Sequence, residues 1–254
     1  MALTRDDNKG KYILVVDDDP FFRNAVSFEF KNYGFEVLNA ENGLNALEVL
    51  DKNPAISLVI TDIKMPVHDG LYFLKEVRAK GNLLPVILMS GFADVPFWDG
   101  YDIGADAWLG KPFHFETLEK LIEKVTQAEE NRWKKTSLKP RQTLTRVYSN
   151  EKETHGEDGF QLGRGGIFVA GEHHSLSMGE AVQFNLLVED SPSSSLSGIG
   201  TVRWVRDGKV GELAPGCGIE IEFLDENIRL AVIKYINTLK PTAFIPKGLK
   251  AQTK

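Results

Sequence analysis

The sequence predicts two domains: an α/β domain with a doubly wound, five-stranded parallel sheet (flavodoxin-like), and a small antiparallel β-barrel with a C-terminal helix. In the first half of the chain, short apolar runs rich in β-branched residues alternate with segments of helical spacing. After residue 150, short alternating strands and glycine turns take over. With 254 residues, of which 42% are apolar, the chain is long enough for two cores.

The first predicted strand of this domain is a continuous apolar run, as expected for a strand that is buried on both faces of a parallel sheet, and similar runs recur. The runs are 12–16, 35–38, 56–61, 86–89 and 107–109. Between the second and third runs, Leu44, Leu47 and Leu50 recur at a spacing of three, as on one face of a helix. The alternation implies right-handed crossovers, with ligands bound at the carboxyl ends of the strands.

Polar residues follow most of these runs and should therefore collect along one edge of the sheet. They are Asp17 and Asp18 after the first run, Asp62 after the third, Ser90 after the fourth and Lys111 after the fifth. Carboxylates that are brought together repel one another unless a hard divalent cation lies between them, and Mg²⁺ is the natural choice. A lysine and a hydroxyl group opposite the carboxylates would hold the oxygens of a phosphoryl group.

A simpler interpretation exists for each part of this set. The three consecutive aspartates 17–19, taken alone, are compatible with an ordinary solvated loop. Their agreement with Asp62 and Lys111 favours a binding site instead. Ser90, taken alone, is compatible with a turn residue, and its place before Gly91 at a strand end favours a role in the site.

Four segments carry a family resemblance. VVDDDP, TDIKMPVHDG, LMSG and GADAWLGKPF, in this order and spacing, resemble the receiver domain of two-component response regulators over residues 10–128. The resemblance implies that Asp62 is the phosphoacceptor and takes a phosphoryl group from a histidine kinase or a phosphotransfer protein. An aspartate is ionised at neutral pH, so it needs no general base to act as a nucleophile. Such a domain is not an enzyme in the usual sense, because it promotes only its own phosphotransfer and dephosphorylation.

The same resemblance implies a magnesium site. Asp18, Asp62 and the backbone carbonyl of Lys64 would ligate Mg²⁺, and Asp17 would act through a bound water. All of these donors are oxygen atoms, which are the ligands that Mg²⁺ prefers.

The resemblance also implies a switch. Lys111 would pair with the phosphoryl oxygens, Ser90 would move to hydrogen-bond them, and the peptide bond before Pro112 would be cis. Trp108 occupies a position where such domains usually carry Tyr or Phe, a ring that turns inward when the hydroxyl residue shifts. Two interpretations stay open: Trp108 alters the coupling between phosphorylation and output, or it only packs beside the fourth helix.

The connection between the domains is predicted to be helical and basic. The predicted divisions are 1–128 for the receiver, 129–140 for the linker, 141–245 for the second domain and 246–254 for a tail. The apolar stripe of the helix that starts near His114 ends at Val125, which predicts that the helix leaves its own domain there. Residues 131–146 carry six basic residues and no acidic one, which is typical of a solvated linker and leaves an anion-binding role as the alternative.

The second domain resembles a PilZ domain over residues 139–240. The turn LGRGGIFVAG, the strand GTVRWVRDG, the late segment PGCGIEIEFLD and a closing helix with Asp225 as its N-cap carry this likeness. PilZ domains typically bind cyclic di-GMP through an RxxxR motif ahead of the barrel and a [DN]xSxxG motif on its rim. Arginine guanidinium groups suit bidentate contact with phosphate and stacking on guanine.

Both PilZ motifs are degenerate here. In the rim motif, Gln161 and Gly163 replace the acidic or amide residue and the serine, and neither arginine before the barrel has an arginine partner at the motif spacing. A glycine cannot supply the hydrogen bond of a hydroxyl group, which is worth about 0.5 to 1.5 kcal/mol. The residues that would hold cyclic di-GMP, if it binds, are Arg141, Arg146, Arg164 and Gly166.

Composition limits the function further. The net charge of -6 argues against a surface built for nucleic acid, and no helix-turn-helix pattern follows residue 128, so DNA binding is not expected. The single cysteine excludes an internal disulfide framework. The N-terminus lacks the apolar core of a signal peptide, and no apolar run approaches the ~20 residues of a membrane span, so the expected location is the cytoplasm.

Three hypotheses follow. The leading one is a response regulator whose degenerate PilZ-like domain acts by contact with a downstream protein. The second is a cyclic di-GMP receptor that integrates phosphorylation with second-messenger binding. The third, a phosphatase or nuclease built on the paired acids, fits poorly with the Lys111-Pro112 element. The sequence leaves open the cognate kinase, the downstream partner and the oligomeric state, for which a homodimer through the face near Trp108 is one option.

Overall fold

The computed structural model describes residues 8–91, 96–156 and 158–248. Contacts divide the chain into two compact units, which are described separately. The first comprises the chain up to residue 96 together with 103–127, and the second comprises 97–102 together with the chain from residue 128 onward. Most of the predicted tail 246–254 lies outside the described residues.

The first unit is the predicted five-stranded parallel sheet. Its strands are β1 (Tyr12–Val16), β2 (Glu36–Ala40), β3 (Ile56–Asp62), β4 (Val86–Ser90) and β5 (Ala107–Gly110). Its helices are α1 (Pro20–Asn32), α2 (Gly43–Lys52), α3 (Gly70–Ala79) and α5 (Phe115–Val125). Between β4 and β5 the chain also forms α4 (Phe97–Ile103), of which residues 97–102 are grouped with the second unit. The strand order is β2-β1-β3-β4-β5 and every neighbouring pair is parallel. The carboxyl ends of the strands therefore meet at one edge of the sheet, where this fold binds ligands.

Apolar layers cover both faces of this sheet. Ile13 faces the layer formed with Phe30 of α1 and Leu118 of α5. Leu14, the next residue along β1, faces the opposite layer with Phe73 of α3. Successive side chains of a strand point to opposite faces, so a strand with two covered faces must be apolar at every position. This burial is the physical reason that the continuous apolar runs predicted the strands.

The last helix of the first unit is shorter than its sequence pattern suggests. α5 ends at Val125, where the hydroxyl group of Thr126 donates to the carbonyl of Ile122 at 2.7 Å, and a short 3₁₀ turn follows at Glu129–Asn131. Past Val125 the helix has no apolar face to bury, and isolated helical turns are marginal in water. The expectation that this helix extends out of its own domain is therefore wrong.

The second unit contains a six-stranded mixed sheet. Its strands are β6 (Gln142–Tyr148), β7 (Phe160–Leu162), β8 (Gly166–Ala170), β9 (Ala181–Val188), β10 (Leu196–Arg206) and β11 (Gly216–Leu224), in the order β6-β9-β10-β11-β8-β7. The pair β6 and β9 is parallel, whereas the other neighbours are antiparallel. The prediction of an antiparallel barrel is therefore wrong for this pair of strands. Alternation of side chains is the same in both kinds of pair, so it does not reveal strand direction.

Two helices accompany this sheet, α6 (Glu151–Thr154) and α7 (Glu226–Leu239). Val232 and Ile236 of α7 pack into the apolar core of the unit, as the predicted closing helix requires. Asp225 takes the N-cap position without a side-chain capping hydrogen bond. None of the described helices is long and apolar enough to cross a membrane.

A buried ion pair ties the helical layer of the first unit to its sheet. Arg78 of α3 lies 2.8 Å from Asp106, and the two side chains are 2% and 5% exposed. The guanidinium group also donates to the carbonyls of Gly104 and Leu84, and Asp106 accepts the amide of Val86 at 2.9 Å. Both charges are therefore hydrogen-bonded, as buried charges must be to be tolerated.

We expect Asp106→Ala to lower the free energy of unfolding by about 3 to 5 kcal/mol, because the guanidinium group of Arg78 is then buried without its charge partner. Urea denaturation of the full chain measures this loss. The matched control is Asp51→Ala, whose ion pair with Lys80 is more than half exposed and should be worth less than ~1 kcal/mol. Equal losses in the two variants would contradict a structural role for the buried pair.

Candidate functional site

Asp17, Asp62 and Lys111 meet at the carboxyl edge of the five-stranded sheet. The Nζ atom of Lys111 lies 2.7 Å from Oδ2 of Asp17 and also contacts Oδ1 of Asp62 directly. The two aspartates are 2% and 7% exposed. They come from the ends of β1 and β3, and the lysine follows β5, so residues distant in sequence are brought together by the parallel topology.

Lys111 is fixed by its backbone and by an aromatic ring. Its amide donates to the carbonyl of Ser90 at 2.7 Å, and the Lys111–Pro112 peptide bond is cis, as the resemblance implies. The ammonium group lies 4.3 Å from the centroid of the Phe22 ring, which packs edge-on against Phe113. An ammonium group over an aromatic face is attracted by the ring quadrupole. The ring therefore helps to orient the lysine toward the carboxylates.

The three consecutive aspartates have three different environments. Asp17 is buried, and its Oδ1 accepts the amide of Asp19 at 3.0 Å, whereas Asp18 is exposed. Asp19 is the N-cap of α1 and accepts the amides of Phe21 and Phe22 at 2.8 and 3.3 Å. Sequence reasoning missed this capping role. The signal was an aspartate directly before a proline, because proline favours the first position of a helix.

The backbone around Asp62 is closely packed. The hydroxyl group of Thr61 donates to the carbonyl of Asp62 at 2.9 Å. A Cβ atom on Gly70 would lie 2.1 Å from the same carbonyl oxygen, so only glycine allows α3 to begin against the end of β3. The end of the strand, and with it the Asp62 carboxylate, is held in place by this contact.

Burial raises the pKa of Asp62 above its ordinary value. The hydrogen bond and charge of Lys111 act in the opposite direction, the charge of Asp17 raises the pKa further, and a hydrogen bond from the Lys64 amide lowers it. Burial by itself lowers the pKa of Lys111, but the hydrogen bonds and charges of the two carboxylates outweigh it, so the pKa of Lys111 is raised. The lysine stays charged at neutral pH.

The predicted magnesium ligands all present oxygen atoms, but they are not gathered as a three-carboxylate cluster. Within the described ranges, no group of three or more histidine, cysteine, aspartate or glutamate side chains is arranged to hold a metal ion. Asp17 and Asp62 share the ammonium group of Lys111 instead. Mg²⁺ is commonly bound by one or two carboxylates and keeps several waters. The donor chemistry of these residues therefore fits Mg²⁺.

Ser90 and Trp108 are in direct contact. Ser90 is 5% exposed, and its Oγ atom accepts a hydrogen bond from Nε1 of Trp108 at 2.7 Å. The two residues lie on the adjacent strands β4 and β5. Trp108 also packs against the apolar layer that contains Phe73, so both interpretations of Trp108 stay predictions. Sequence reasoning could not find this bond, because it depends on the orientation of the indole ring.

In the second unit, the C-terminal segment covers the glycine-rich turn before β8. The amide of Arg164 donates to the carbonyl of Ala243 at 2.9 Å, and its Nε donates to the carbonyl of Thr242 at 3.2 Å. A Cβ atom on Gly163 would lie 2.6 Å from the carbonyl oxygen of Phe244. This close approach explains why position 163 is a glycine. Arg164 is only 4% exposed.

The remaining candidate residues of the second unit lie in different environments. Arg141 is exposed just before β6, whereas Arg146 is half-buried within β6. The Nη2 atom of Arg146 donates to the carbonyl of Ala170 at 3.4 Å, and its buried Nε has no hydrogen-bond partner among the described residues. Gly166 opens β8, where a Cβ atom would lie 2.4 Å from the carbonyl oxygen of Ile219. The three arginines are thus exposed, half-buried and covered.

Comparison with known proteins places the first unit in a family. Residues 13–123 match the family described as the response regulator receiver domain. The transcriptional regulatory protein FixJ of Bradyrhizobium diazoefficiens is 34% identical over 122 residues, which are 46% of this chain and 58% of FixJ. The sensor histidine kinase RcsC of Salmonella typhimurium is 33% identical over 120 residues, which are 47% of this chain and 13% of RcsC.

Among solved structures, the chemotaxis response regulator CheY4 of Vibrio cholerae shares 34% sequence identity and has a TM-score of 0.42, with 45% of this chain and 98% of that chain covered. The matched part of the chain spans little more than half of FixJ and a smaller share of RcsC. The family match ends at residue 123, before the six-stranded sheet begins.

We expect Lys111→Met to raise the pKa of Asp62 further, because the hydrogen bond and the charge that lower this pKa are both removed. The side-chain carboxyl carbon of Asp62, followed by NMR through a pH titration, reports the change. Lys80→Met is the control, since its ammonium group pairs with Asp51 in an exposed ion pair and should leave Asp62 unchanged. An unchanged or lowered pKa in Lys111→Met would show that the contact is not ionic.

Proposed function

From the fact that residues 13–123 are a response regulator receiver domain, we propose that this chain is the response regulator of a two-component phosphorelay and that Asp62 is its phosphoacceptor. The observation that carries the proposal is the direct contact of Lys111 with a buried carboxylate at the carboxyl edge of the sheet. This contact supplies both a nucleophilic oxygen and a fixed positive charge beside it. Phosphoryl transfer to the carboxylate uses both.

In the proposed reaction, an oxygen of the Asp62 carboxylate attacks the phosphorus atom of a phosphohistidine. The new O–P bond forms as the N–P bond breaks, and the electron pair of that bond stays on the leaving imidazole. Lys111 is already charged and needs no rearrangement of protons to stabilise the negative phosphoryl oxygens. In dephosphorylation, water attacks the phosphorus atom, the O–P bond to Asp62 breaks with its electron pair left on the carboxylate, and inorganic phosphate is released.

The proposal includes Mg²⁺, held by Asp18, Asp62 and the carbonyl of Lys64, with Asp17 acting through a water. When bound, the ion would neutralise charge on the phosphoryl oxygens. The exposure of Asp18 supports this assignment, because that carboxylate is accessible to an ion entering from solvent. Asp17 and Asp62 already lie close enough to share one cationic group.

The proposed phosphodonor is a histidine kinase or a histidine phosphotransfer protein of the cytoplasm. The match to a protein named as a sensor histidine kinase supports this choice, because the same kind of domain occurs there. Phe21, which is 85% exposed, lies on the first turn of α1 beside the aspartates of the site. This exposed apolar side chain is a candidate contact for the donor protein.

The second unit is proposed to be a degenerate PilZ-like output domain that acts by contact with a downstream protein. Its glycine-rich turn and its closing helix support the PilZ-like assignment. The covered positions of Gly163 and Arg164 weigh against the alternative of a cyclic di-GMP receptor, since the chain's own segment at 242–244 packs where the motif residues would act.

We expect incubation with Mg²⁺ and acetyl phosphate to add one phosphoryl group to the chain, and hydroxylamine to remove it. Asp62→Asn should gain none, because an amide is not a nucleophile for phosphorus under these conditions. Intact-protein mass spectrometry measures both. Asp19→Asn is the matched control, since asparagine also caps helices and the variant should be labelled normally. Labelling of Asp62→Asn, or its loss in the control alone, would overturn the assignment of the phosphoacceptor.

Calorimetric titration of the full chain with cyclic di-GMP is expected to give no saturable heat. The reason is that Arg164 is held by the chain's own carbonyls and is almost fully buried. Saturable heat that disappears in both Arg141→Ala and Arg164→Ala would instead favour the receptor hypothesis. The same titration of the two variants separates specific binding from heat of dilution.

A further inference from the structure

The C-terminal segment at 242–247 lies against the glycine-rich turn before β8. This segment follows the end of α7 and belongs to no helix or strand. The amide of Arg164 donates to the carbonyl of Ala243 at 2.9 Å, and the amide of Gly165 donates to the carbonyl of Phe244 at 3.0 Å. Two consecutive backbone donors of the turn are therefore paired with two consecutive carbonyls of the segment.

The missing side chains of the turn form a groove for this segment. A Cβ atom on Gly165 would lie 2.1 Å from the Phe244 ring, and one on Gly166 would lie 2.7 Å from the side chain of Ile245. Ile245 is fully buried and Phe244 is 9% exposed. The ring of Tyr101, which is grouped with the same unit, stacks against Phe244. The groove thus holds one aromatic and one aliphatic side chain beside a pair of backbone donors.

Proteins bind extended peptides through contacts of this kind. Backbone hydrogen bonds supply affinity for any extended chain, and side-chain pockets supply specificity. The carbonyls of Ala243 and Phe244 accept hydrogen bonds whatever their side chains are, whereas the side chains of Phe244 and Ile245 fill the space that the glycines leave. An extended peptide of another protein that carries an aromatic residue directly before an aliphatic one would make the same contacts.

The C-terminal segment can leave the groove without breaking a helix or a strand. α7 ends before Lys240, which adopts the left-handed conformation at φ 45°. This conformation costs energy for a residue with a side chain, so departure of the segment would let Lys240 relax. The far end of the segment is held at Lys247, whose carbonyl accepts a hydrogen bond from Arg206 at 2.8 Å.

We propose that this groove is a peptide-docking site, that the C-terminal segment is its internal ligand, and that the downstream protein docks by placing an extended aromatic-aliphatic segment there instead. This inference rests on the proposed output of the second unit through protein contact, and it names the chemistry of the partner. An internal ligand is present at a high effective concentration, so it keeps the groove occupied until a partner competes with it.

The first test weakens the internal ligand and supplies the same segment from outside. The probe is a fluorescent peptide of residues 241–248, PTAFIPKG, with both ends blocked, and fluorescence anisotropy measures its binding to the full chain. The double variant Phe244→Ala, Ile245→Ala should bind this peptide about tenfold more tightly than the unsubstituted chain, because apparent affinity rises with the fraction of open groove. Equal or weaker binding by the double variant would overturn the proposal.

Two controls tie this binding to the groove. The peptide PTAAAPKG lacks both side chains and should not bind the double variant. Adding Gly165→Ala to the double variant should abolish binding of PTAFIPKG, since the new Cβ atom takes the place of the aromatic ring. Binding that persists in either control would place the peptide elsewhere and contradict the proposal.

A folding defect of the double variant would not prevent the test. Should its second unit not fold, PTAFIPKG should restore a cooperative thermal transition, because a ligand that binds only the folded state stabilises that state. A double variant that the peptide neither binds nor restores would overturn the proposal.

The second test uses the unsubstituted chain. Amide hydrogen exchange at Arg164 and Gly165 reports departure of the segment, whereas the Ile221 amide, which donates to the carbonyl of Gly165 at 2.9 Å, reports opening of the sheet. The two turn amides should exchange about tenfold faster than the Ile221 amide or more, since departure of the segment needs only local unfolding. Equal protection of the three amides would show that the segment opens only with the sheet and would overturn its role as a displaceable ligand.

The outcomes separate this inference from the proposed function. Labelling by acetyl phosphate reads Asp62, whereas peptide anisotropy reads the second unit. If labelling is normal and the peptide does not bind the double variant, only the groove and its partner chemistry fail. If the peptide binds as predicted and labelling fails, the docking site stands and the phosphoacceptor role is lost.

Discussion

The contact of one ammonium group with two buried carboxylates is the interaction on which the site of this protein depends. Asp17 and Asp62 would repel each other at the edge of the sheet, and their burial makes the repulsion stronger because little water screens it. Lys111 offsets this cost by lying against both. Under the proposed function, an incoming phosphoryl group and its cation would change this balance of charges.

Contacts of the neighbouring backbone hold the charged groups of the site in position. Asp19 caps α1 and fixes the loop that carries Asp17, while the missing side chain of Gly70 lets α3 begin against the carbonyl of Asp62. The hydroxyl group of Ser90 is bonded to Trp108. Each of these contacts is a structural one, yet each sets the position of a group that would act on phosphate. Structure and proposed function therefore share the same few residues.

In the second unit, the chain's own segment at 242–244 packs against the turn that the proposed PilZ-like assignment compares with a rim motif. The glycine at position 163 is required because the carbonyl of Phe244 approaches it closely. The same segment accepts hydrogen bonds from Arg164. The glycine at this position is thus explained by packing, and the proposed output through protein contact is consistent with it.

The sequence by itself determined the parallel sheet of the first unit and the edge at which its polar residues gather. Burial on both faces favours apolar residues along the central strands, and the alternation of strands and helices determines where the strand ends meet. Tertiary structure alone decided that α5 stops at Val125, that β6 runs parallel to β9 and that Trp108 donates to Ser90. Periodicity records which face of an element is buried. It does not show which element packs against that face. That neighbouring element determines the direction of a strand, the end of a helix and the direction of a hydrogen bond.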